Sequence, residues 1–279
     1  MKIEGWKYYN HAAVPTCPPH ETPDVSPVET GDIWKMDGKP LLARWTTDFD
    51  CGYETNWWYV IKDTPFDMGE LKAKRRYEIN KGNKNFHVKE INPQEWVEDI
   101  YAVAMAAYAT YPKSYRPNVS QDQFVSNVLS WNFYKVYGAL SVDDDALCGY
   151  ACLNKRNLDG NCINFTFMKA IPDKERFGLN AAMVNKILAD HKDFLNAGGY
   201  ICDGARSINH ETAFQDYLEK YFGFRKAYCK LHIKYNPKIK PLLKMVYPFR
   251  SILRGLDQIK IVHQINSVIK MEELVRKNK

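Results

Sequence analysis

The chain has 279 residues, 45% of them hydrophobic, which is enough for one large domain or two small ones, each with its own core. The net charge of +6 is uneven: ten basic and three acidic residues give residues 236–279 a charge of +7, which leaves −1 for residues 1–235. Apolar runs fall short of the roughly 18 residues of a membrane span, and the seven cysteines are scattered without a C-x-x-C pair, so we expect a cytoplasmic protein with reduced thiols.

The first 65 residues are rich in aromatic residues and proline, and residues 57–63 predict a buried strand. Aromatic faces beside carboxylates are typical of sugar-binding sites. The candidate acceptor-binding residues here are Asp50, Glu54, Trp57 and Trp58. Paired tryptophans are also common in protein cores, which is the alternative interpretation. His11, Cys17 and His20 lack a fourth ligand at a suitable spacing, so we expect no metal site.

A short basic helix is predicted over residues 70–82, with its end at Gly82. It carries Arg75 and Arg76, which we take as candidate substrate-binding residues because their guanidinium groups suit carboxylates and phosphates.

The elements that follow form a regular series. The caps Asn92-Pro93 and Ser120-x-x-Gln123 open two helices, and tight connections between strands indicate antiparallel neighbours. The predicted series is a strand at 86–91, two helices, strands at 135–140, 147–153 and 162–171, a helix at 177–195, a strand near 201, a helix to 222 and a strand to 233.

The last predicted helix has an apolar face and ends at Gly223-Phe224. The face consists of Phe214, Tyr217, Leu218, Tyr221 and Phe222. A strand, a helix that ends in aromatic-Gly-Phe and a closing strand resemble the C-terminal half of GNAT-type N-acyltransferases. The whole order, β-α-α-β-β-β-α-β-α-β, is also that of the GNAT fold. We therefore expect an α+β, GNAT-like mixed sheet flanked by helices, and the two hairpins disfavour a doubly wound parallel sheet.

The resemblance implies that the fourth strand and the helix after it hold an acyl donor. The donor-binding residues it implies are Phe167, Met168, Arg176, Gly178, Leu179, Asn180 and Thr212. In the family pattern Gln/Arg-x-x-Gly-x-Gly/Ala, Gly178 matches the central glycine, whereas Glu175 takes the first position. Unpaired N–H groups at a helix start favour a pyrophosphate. An ordinary helix start with acidic residues in its first turn accounts for the same residues.

Two departures from the GNAT pattern suggest one branch of the superfamily. Glu219 stands where GNAT enzymes often place the tyrosine that protonates the departing thiolate, and the donor loop is degenerate. Together with the basic helix, these features resemble Fem-type enzymes over residues 70–235. Fem-type enzymes transfer an aminoacyl group from tRNA to an amine of a cell-wall precursor, usually with two such domains. The resemblance thus implies an acyl-CoA donor or, as the alternative, an aminoacyl-tRNA.

The turn after the predicted strand near residue 201 collects polar residues. Asp203 and His210 are the candidate catalytic pair, since a carboxylate and an imidazole can share a proton and deprotonate an amine. Arg206 is a fixed cation for a carboxylate or phosphate. The alternative is a capped helix start, with Asn209 as the N-cap and His210 exposed.

The tail, residues 236–279, mixes basic and apolar residues in a helical pattern. Its apolar residues predicted to share one surface are Leu242, Leu243, Val246, Tyr247 and Leu253. Such a surface suits peripheral contact with an anionic membrane. Docking on a partner subunit in a homo-oligomer, or on the chain's own domain, is the alternative.

The sequence therefore predicts three segments: an aromatic segment with the basic helix (1–84), a GNAT-like domain (85–235) and a basic helical tail (236–279). We expect an acyl- or aminoacyltransferase whose acceptor is an amine on a sugar or a cell-surface or cell-wall precursor. The alternatives are a non-catalytic binding protein of the same fold and a nucleic-acid-binding protein. The latter is weakened because the body of the chain is nearly neutral.

Overall fold

The computed structural model of the chain describes residues 1–111, 116–154, 161–207 and 213–276, without the side chains of residues 260, 261, 263 and 264. The described chain forms two compact units that alternate along the sequence. The first unit contains residues 1–59, 205–207 and 226–276, and the second contains the described part of Val60–Gly204 together with Ala213–Arg225. The division into segments 1–84, 85–235 and 236–279 remains a prediction. The two compact units show how the folded chain is packed, which is a different property from the ability of a segment to fold on its own.

The described strands are β1 (Trp6–Tyr9), β2 (Ala12–Pro15), β3 (Leu42–Thr47), β4 (Trp57–Lys62), β5 (Phe86–Ile91), β6 (Tyr134–Ser141), β7 (Leu147–Asn154), β8 (Cys162–Ala170), β9 (Tyr200–Ala205) and β10 (Arg225–Tyr235). The described α-helices are α1 (Ser26–Thr30), α2 (Ala73–Asn85), α3 (Val97–Ala109), α4 (Gln121–Leu129), α5 (Pro172–Glu175), α6 (Leu179–Asp190), α7 (Lys192–Asn196), α8 (Ala213–Phe222), α9 (Lys240–Val246), α10 (Arg250–Gly255) and α11 (Lys260–Arg276). Short 3₁₀ turns lie at Asp32–Lys35, Met68–Glu70 and Tyr247–Phe249.

The second unit contains a mixed sheet with the strand order β9-β8-β7-β6-β5. Its neighbours are antiparallel except for β8 and β9, which run parallel. Along the chain, the series β5-α3-α4-β6-β7-β8-α6-β9-α8-β10 is the predicted one, and the short helices α5 and α7 lie between its members. The predicted α+β, GNAT-like fold class is thereby confirmed.

Helices α3 and α4 pack on β6, β7 and β8 through one apolar cluster. Ile100, Val103 and Ala104 of α3 are almost completely buried, at the three- and four-residue spacing of a helix face. The predicted capping box at the start of α4 is present in part, since the Ser120 hydroxyl accepts a hydrogen bond from the Gln123 amide at 3.3 Å.

Helix α2 packs against α6 through two glycines that allow their backbones to approach closely. A Cβ atom on Gly82 would lie 2.3 Å from the carbonyl oxygen of Gly178, and a Cβ on Gly178 would lie 2.4 Å from that of Glu78. The predicted helix end at Gly82 is therefore wrong. The helix continues to Asn85, because this glycine serves a close helix contact and not a left-handed cap.

In the first unit, β1 and β2 form an antiparallel hairpin, β2 pairs in parallel with β3, and β3 pairs antiparallel with β10. Residues near the end of helix α11 complete the core of the first unit. Met271 packs in a buried cluster with Trp57, Cys229 and Leu231. The tail is thus part of a folded core as well as a source of positive charge.

Neither a candidate membrane-spanning helix nor a candidate metal-binding cluster lies among the described residues. No described helix combines the length and the apolar character needed to cross a bilayer. Within the same ranges, no group of three or more His, Cys, Asp or Glu side chains is arranged to hold a metal ion.

Candidate functional site

The parallel strands β8 and β9 diverge in the second unit. Their paired register ends at Asn164 and Cys202, although β8 continues to Ala170 and β9 to Ala205. Parallel strands that part at their carboxyl ends leave an opening of the kind in which α/β sheets bind ligands.

A bulge lies in β8 where this divergence begins. In the register with β7, Phe165 faces Leu153 and Phe167 faces Cys152, so Thr166 is the extra residue. Phe165 stacks on Phe214 of α8 at 5.6 Å between ring centroids, whereas Phe167 packs into the cluster under α3. Residues two apart on a regular strand share one face, so their different neighbours follow from the bulge. An extra strand residue also leaves its backbone groups outside the ladder.

Asp203 follows Cys202, the last residue of β9 that pairs with β8. Burial of its carboxyl group raises its pKa to about 8, and a hydrogen bond from Gln215 lowers the pKa in part. Gln215 also donates from its amide nitrogen to the Asp203 carbonyl oxygen at 3.4 Å. The sequence predicted Asp203 as a catalytic residue but missed Gln215, a buried polar residue on the helix whose face was read as purely apolar. A carboxyl group that titrates near neutral pH is suited to proton transfer.

Arg75, a predicted substrate-binding residue, lies buried in α2 inside a cage of aromatic rings on α8. Its guanidinium carbon is 3.7 Å from the ring centroid of Tyr221 and 5.2 Å from that of Tyr217. Its Nη1 donates to the Tyr217 hydroxyl at 3.3 Å, while Nε has no hydrogen-bond partner in the described structure. Burial also raises the pKa of Tyr217 to about 12. The neighbouring Arg76 donates to the carbonyl oxygens of Gly69 and Leu71 at the start of the helix.

The predicted donor loop leads into α6. Gly178 is the N-cap of α6, with φ +85°, and the carbonyl of Arg176 accepts a hydrogen bond from Lys81 of α2 at 2.8 Å. Leu179 is fully buried, and Asn180 keeps a buried side-chain oxygen without a hydrogen-bond partner in the described structure. The amide groups in the first turn of α6 have no partner within the helix, as at any helix start.

A lysine outside the predicted site residues lies on β8 beyond the bulge. Lys169 donates to the Tyr111 hydroxyl and lies 4.9 Å from the Tyr111 ring centroid and 5.2 Å from that of Tyr108. Burial raises the pKa of Tyr108. Met168, a predicted donor-binding residue, precedes Lys169 and is half-buried. No spacing in the sequence links a lysine on a strand with tyrosines at a helix end, so only the folded structure identifies this group.

In the first unit, two of the predicted substrate-binding residues, Arg206 and Trp58, contact each other. The guanidinium carbon of Arg206 lies 4.3 Å from the Trp58 ring centroid, and Nζ of Lys226 lies 4.7 Å from it. Arg206 also donates to the Asn56 carbonyl at 2.8 Å, and burial lowers its pKa. Two cations against one indole form a positive surface beside an aromatic face.

The other predicted residues of this unit lie elsewhere. Trp57 is 2% exposed and belongs to the core cluster with Met271. Asp50 and Glu54 lie on the exposed connection between β3 and β4. The predicted catalytic residue His210 and the predicted donor-binding residue Thr212 lie outside the described residues.

No family model matches the sequence, and no curated protein matches it. Among solved structures, a DUF2156 domain from Agrobacterium fabrum, assigned to a lysylphosphatidylglycerol synthetase, is 12% identical with a TM-score of 0.48, and the match covers 86% of this chain and 82% of that one. A GCN5-related N-acetyltransferase-like protein from Streptococcus suis is 14% identical (TM-score 0.39, 81% and 79% covered). A GCN5-related N-acetyltransferase from Kribbella flavida is 10% identical (0.42, 81% and 81%). The assignment of the fold rests on the order of elements given above.

Proposed function

We propose that the protein is an N-acyltransferase whose reaction takes place where β8 and β9 diverge, with Asp203 as the general base. The observation that carries the proposal is the carboxyl group with a pKa of about 8 beside the end of the β8–β9 pairing. Near neutral pH a group with this pKa is present in both protonation states, which allows it to accept a proton and then release it.

The proposed reaction begins with an amine held in the opening. The amine nitrogen attacks the donor's carbonyl carbon while the Asp203 carboxylate takes the proton that the nitrogen loses. The C–N bond forms, the bond from the acyl carbon to the leaving group breaks, and the proton returns from Asp203 to that group. Backbone amides at the Thr166 bulge are suited to stabilise the oxyanion, because a bulge frees donors from the ladder.

The donor in this proposal is an acyl-CoA, with an aminoacyl-tRNA as the alternative. The first turn of α6 would receive the pyrophosphate, since Leu179 and Asn180 begin a helix of twelve residues. The close contact of Gly178 with α2 makes a bulky residue at position 178 a poor test, because it would disturb the fold. Asn180→Asp adds a charge without changing the size of the side chain, so it avoids this clash.

The acceptor in this proposal is an amine that also carries an anionic group, such as a phosphorylated sugar or cell-wall precursor. Within the first unit, the positive surface that Arg206 and Lys226 form on Trp58 is chemically suited to a phosphate or carboxylate. The Trp58 ring would offer its face to the C–H surface of a sugar, while Trp57 is confined to the core.

The test combines ligand binding with transfer. A thermal-shift panel of acetyl-CoA, longer acyl-CoAs and nucleotide-sugars identifies ligands, because a molecule that binds the native state raises Tm. Asn180→Asp should abolish the shift caused by an acyl-CoA, since it places a negative charge at the proposed pyrophosphate site. Asn127→Asp, an exposed position on α4, is the matched control and should keep the shift.

For the bound donor, acyl transfer to amine probes should rise with pH through about 8 in the wild type. Asp203→Asn should lower the rate by roughly 10²-fold or more and abolish that rise. Asp193→Asn on the exposed surface of α7 should change neither. A folded Asp203→Asn variant with wild-type turnover would remove Asp203 from the mechanism. A chain that binds no acyl-CoA and no aminoacyl-tRNA would instead be a non-catalytic protein of this fold.

A further inference from the structure

The segment from α9 to the turn after α10 exposes an unusual number of large apolar side chains. They are Leu242 (52% exposed), Met245 (66%), Phe249 (58%), Ile252 (66%), Leu256 (46%) and Ile259 (52%). Their spacing alternates between three and four residues, which places side chains of a helical segment on one stripe. Other exposed large apolar residues in the described chain are scattered, so these six form its one such run.

The opposite side of the same segment is held by the first unit. Leu243 is 8% exposed, and Val246, Tyr247 and Leu253 are half-buried. Of the five residues predicted to share one surface of the tail, only Leu242 is exposed. Periodicity alone cannot tell which of two apolar stripes a neighbouring element covers.

Contacts with α11 fix this orientation. Arg254 donates to both carboxylate oxygens of Glu273 at 2.6 Å, and Arg250 lies 3.5 Å from the same carboxylate. The Asn266 amide donates to the Leu253 carbonyl at 2.9 Å and to Asp257 at 2.7 Å. The exposed stripe is thus presented on a structured hairpin of helices.

The charges around the stripe are positive. Residues 236–259 contain five basic residues and a single acidic one, Asp257. Asp257 is bonded to Asn266, and two of the arginines contact Glu273, whereas Lys238, Lys240 and Lys244 are exposed beside the start of the stripe. An apolar stripe flanked by lysines matches a surface that is apolar inside and anionic outside.

We propose that this stripe, which we define as the six exposed apolar residues from Leu242 to Ile259, docks on an anionic lipid bilayer. The apolar side chains enter the boundary between headgroups and acyl chains, while the lysines contact lipid phosphates. A second copy of the chain is a poorer occupant, because a two-fold contact through this face would bring identical lysines together. The proposal is independent of the proposed acyl transfer.

Flotation of the full chain with lipid vesicles tests the proposal. The wild type should float with phosphatidylcholine vesicles that contain about one third phosphatidylglycerol, and poorly with phosphatidylcholine alone. Phe249→Ser/Ile252→Ser should lower the partition coefficient about tenfold or more, because both side chains supply buried apolar area only in the bound state. Raising the salt to about 1 M should also weaken binding, since the Debye length falls to about 3 Å.

Matched variants distinguish binding through the stripe from non-specific binding through other exposed apolar or basic residues. Val119→Ser/Leu129→Ser removes two exposed apolar side chains of the second unit and should leave partitioning within about twofold of the wild type. Lys240→Glu/Lys244→Glu should reduce partitioning, whereas Lys89→Glu/Lys192→Glu changes the net charge equally outside the stripe and should not.

Two results would overturn the proposal. One is a wild type that stays unbound from anionic vesicles at low salt. The other is a Phe249→Ser/Ile252→Ser variant that floats as the wild type does. A concentration-dependent dimer that this variant dissociates, without vesicle binding, would assign the face to self-association instead.

Discussion

Asp203 and Arg75 are ionisable side chains that the fold places in low-dielectric surroundings. The free-energy cost of burying each of them is offset in a different way. Asp203 has a pKa of about 8, so near neutral pH it is partly protonated and avoids part of the cost of a buried charge. Arginine cannot lose its proton in this way. Arg75 is instead compensated by three aromatic rings, of Tyr217, Tyr221 and Phe222, and by one tyrosine hydroxyl.

The raised pKa of Asp203 predicts a loss of stability with rising pH. The folded state holds this proton more tightly than the unfolded chain, whose carboxyl group titrates near 3.8. The stabilising effect is complete below that value and disappears as the pH rises through about 8. In urea unfolding, the free energy of unfolding of Asp203→Asn relative to that of the wild type should therefore rise by about 1 kcal/mol or more from pH 5 to pH 9. The same comparison with Asp193→Asn should be flat, and a flat result for Asp203→Asn would contradict the shift.

The aromatic cage predicts that arginine and lysine are not interchangeable at position 75. Arg75→Lys keeps the charge but loses the planar stack on Tyr221, so we expect the free energy of unfolding to fall by roughly 1–3 kcal/mol. Arg254→Lys is the control at an exposed site, where the contact with Glu273 survives and the change should stay within about 0.5 kcal/mol. Equal stability of the two variants would mean that the cage contributes little.

The sequence predicts the order of the helices and strands and those element ends that local patterns determine. The order from β5 to β10, the cap at Ser120 and the helix end at Gly223 follow from periodicity and turn residues. Contacts between distant segments carry no such signal. The pairing of β3 with β10, the cage around Arg75 and the meeting of Asp203 with Gln215 all depend on tertiary packing. The early end of the β8–β9 pairing, after Asn164 and Cys202, likewise carries no signal in the sequence.

The contact between α2 and α6 predicts an unusual effect of alanine in a helix. Alanine has a better helix propensity than glycine by about 1 kcal/mol. Gly82→Ala should nevertheless lower the free energy of unfolding by about 2 kcal/mol or more, because its Cβ would lie 2.3 Å from a backbone oxygen of Gly178. Gly255→Ala at the end of α10 meets no atom within 4 Å and should be neutral. Thermal unfolding of the two variants provides the comparison, and a stable Gly82→Ala would show that the helices can separate without loss.

The first unit is assembled from segments that lie far apart in the sequence. Its strands β1, β2 and β3 come from the beginning, β10 and α11 from the end, and the second unit occupies most of the sequence between them. Chain ends that share one core depend on each other for stability, so substitutions far apart in sequence affect the same unit.

This arrangement predicts different costs for the same substitution at two positions of the tail. Met271→Ala should lower the free energy of unfolding by about 2–4 kcal/mol, because Met271 is 5% exposed and packs beside Trp57. Met245→Ala, at a residue that is 66% exposed, should change it by less than about 0.5 kcal/mol. Tryptophan fluorescence during urea unfolding reports both variants. A neutral Met271→Ala would mean that α11 is only loosely attached.

The pairing of β3 with β10 also has a consequence for biosynthesis. Leu42–Thr47 leave the ribosome long before their partners, Lys230–Tyr235, have been translated. During that interval one edge of β3 remains without its final neighbour, while the second unit, encoded mostly between the two, can already acquire its own contacts. Of the two units, the one whose strands are translated earlier is thus completed later. An exposed strand edge of this kind is a natural substrate for chaperones that bind nascent chains.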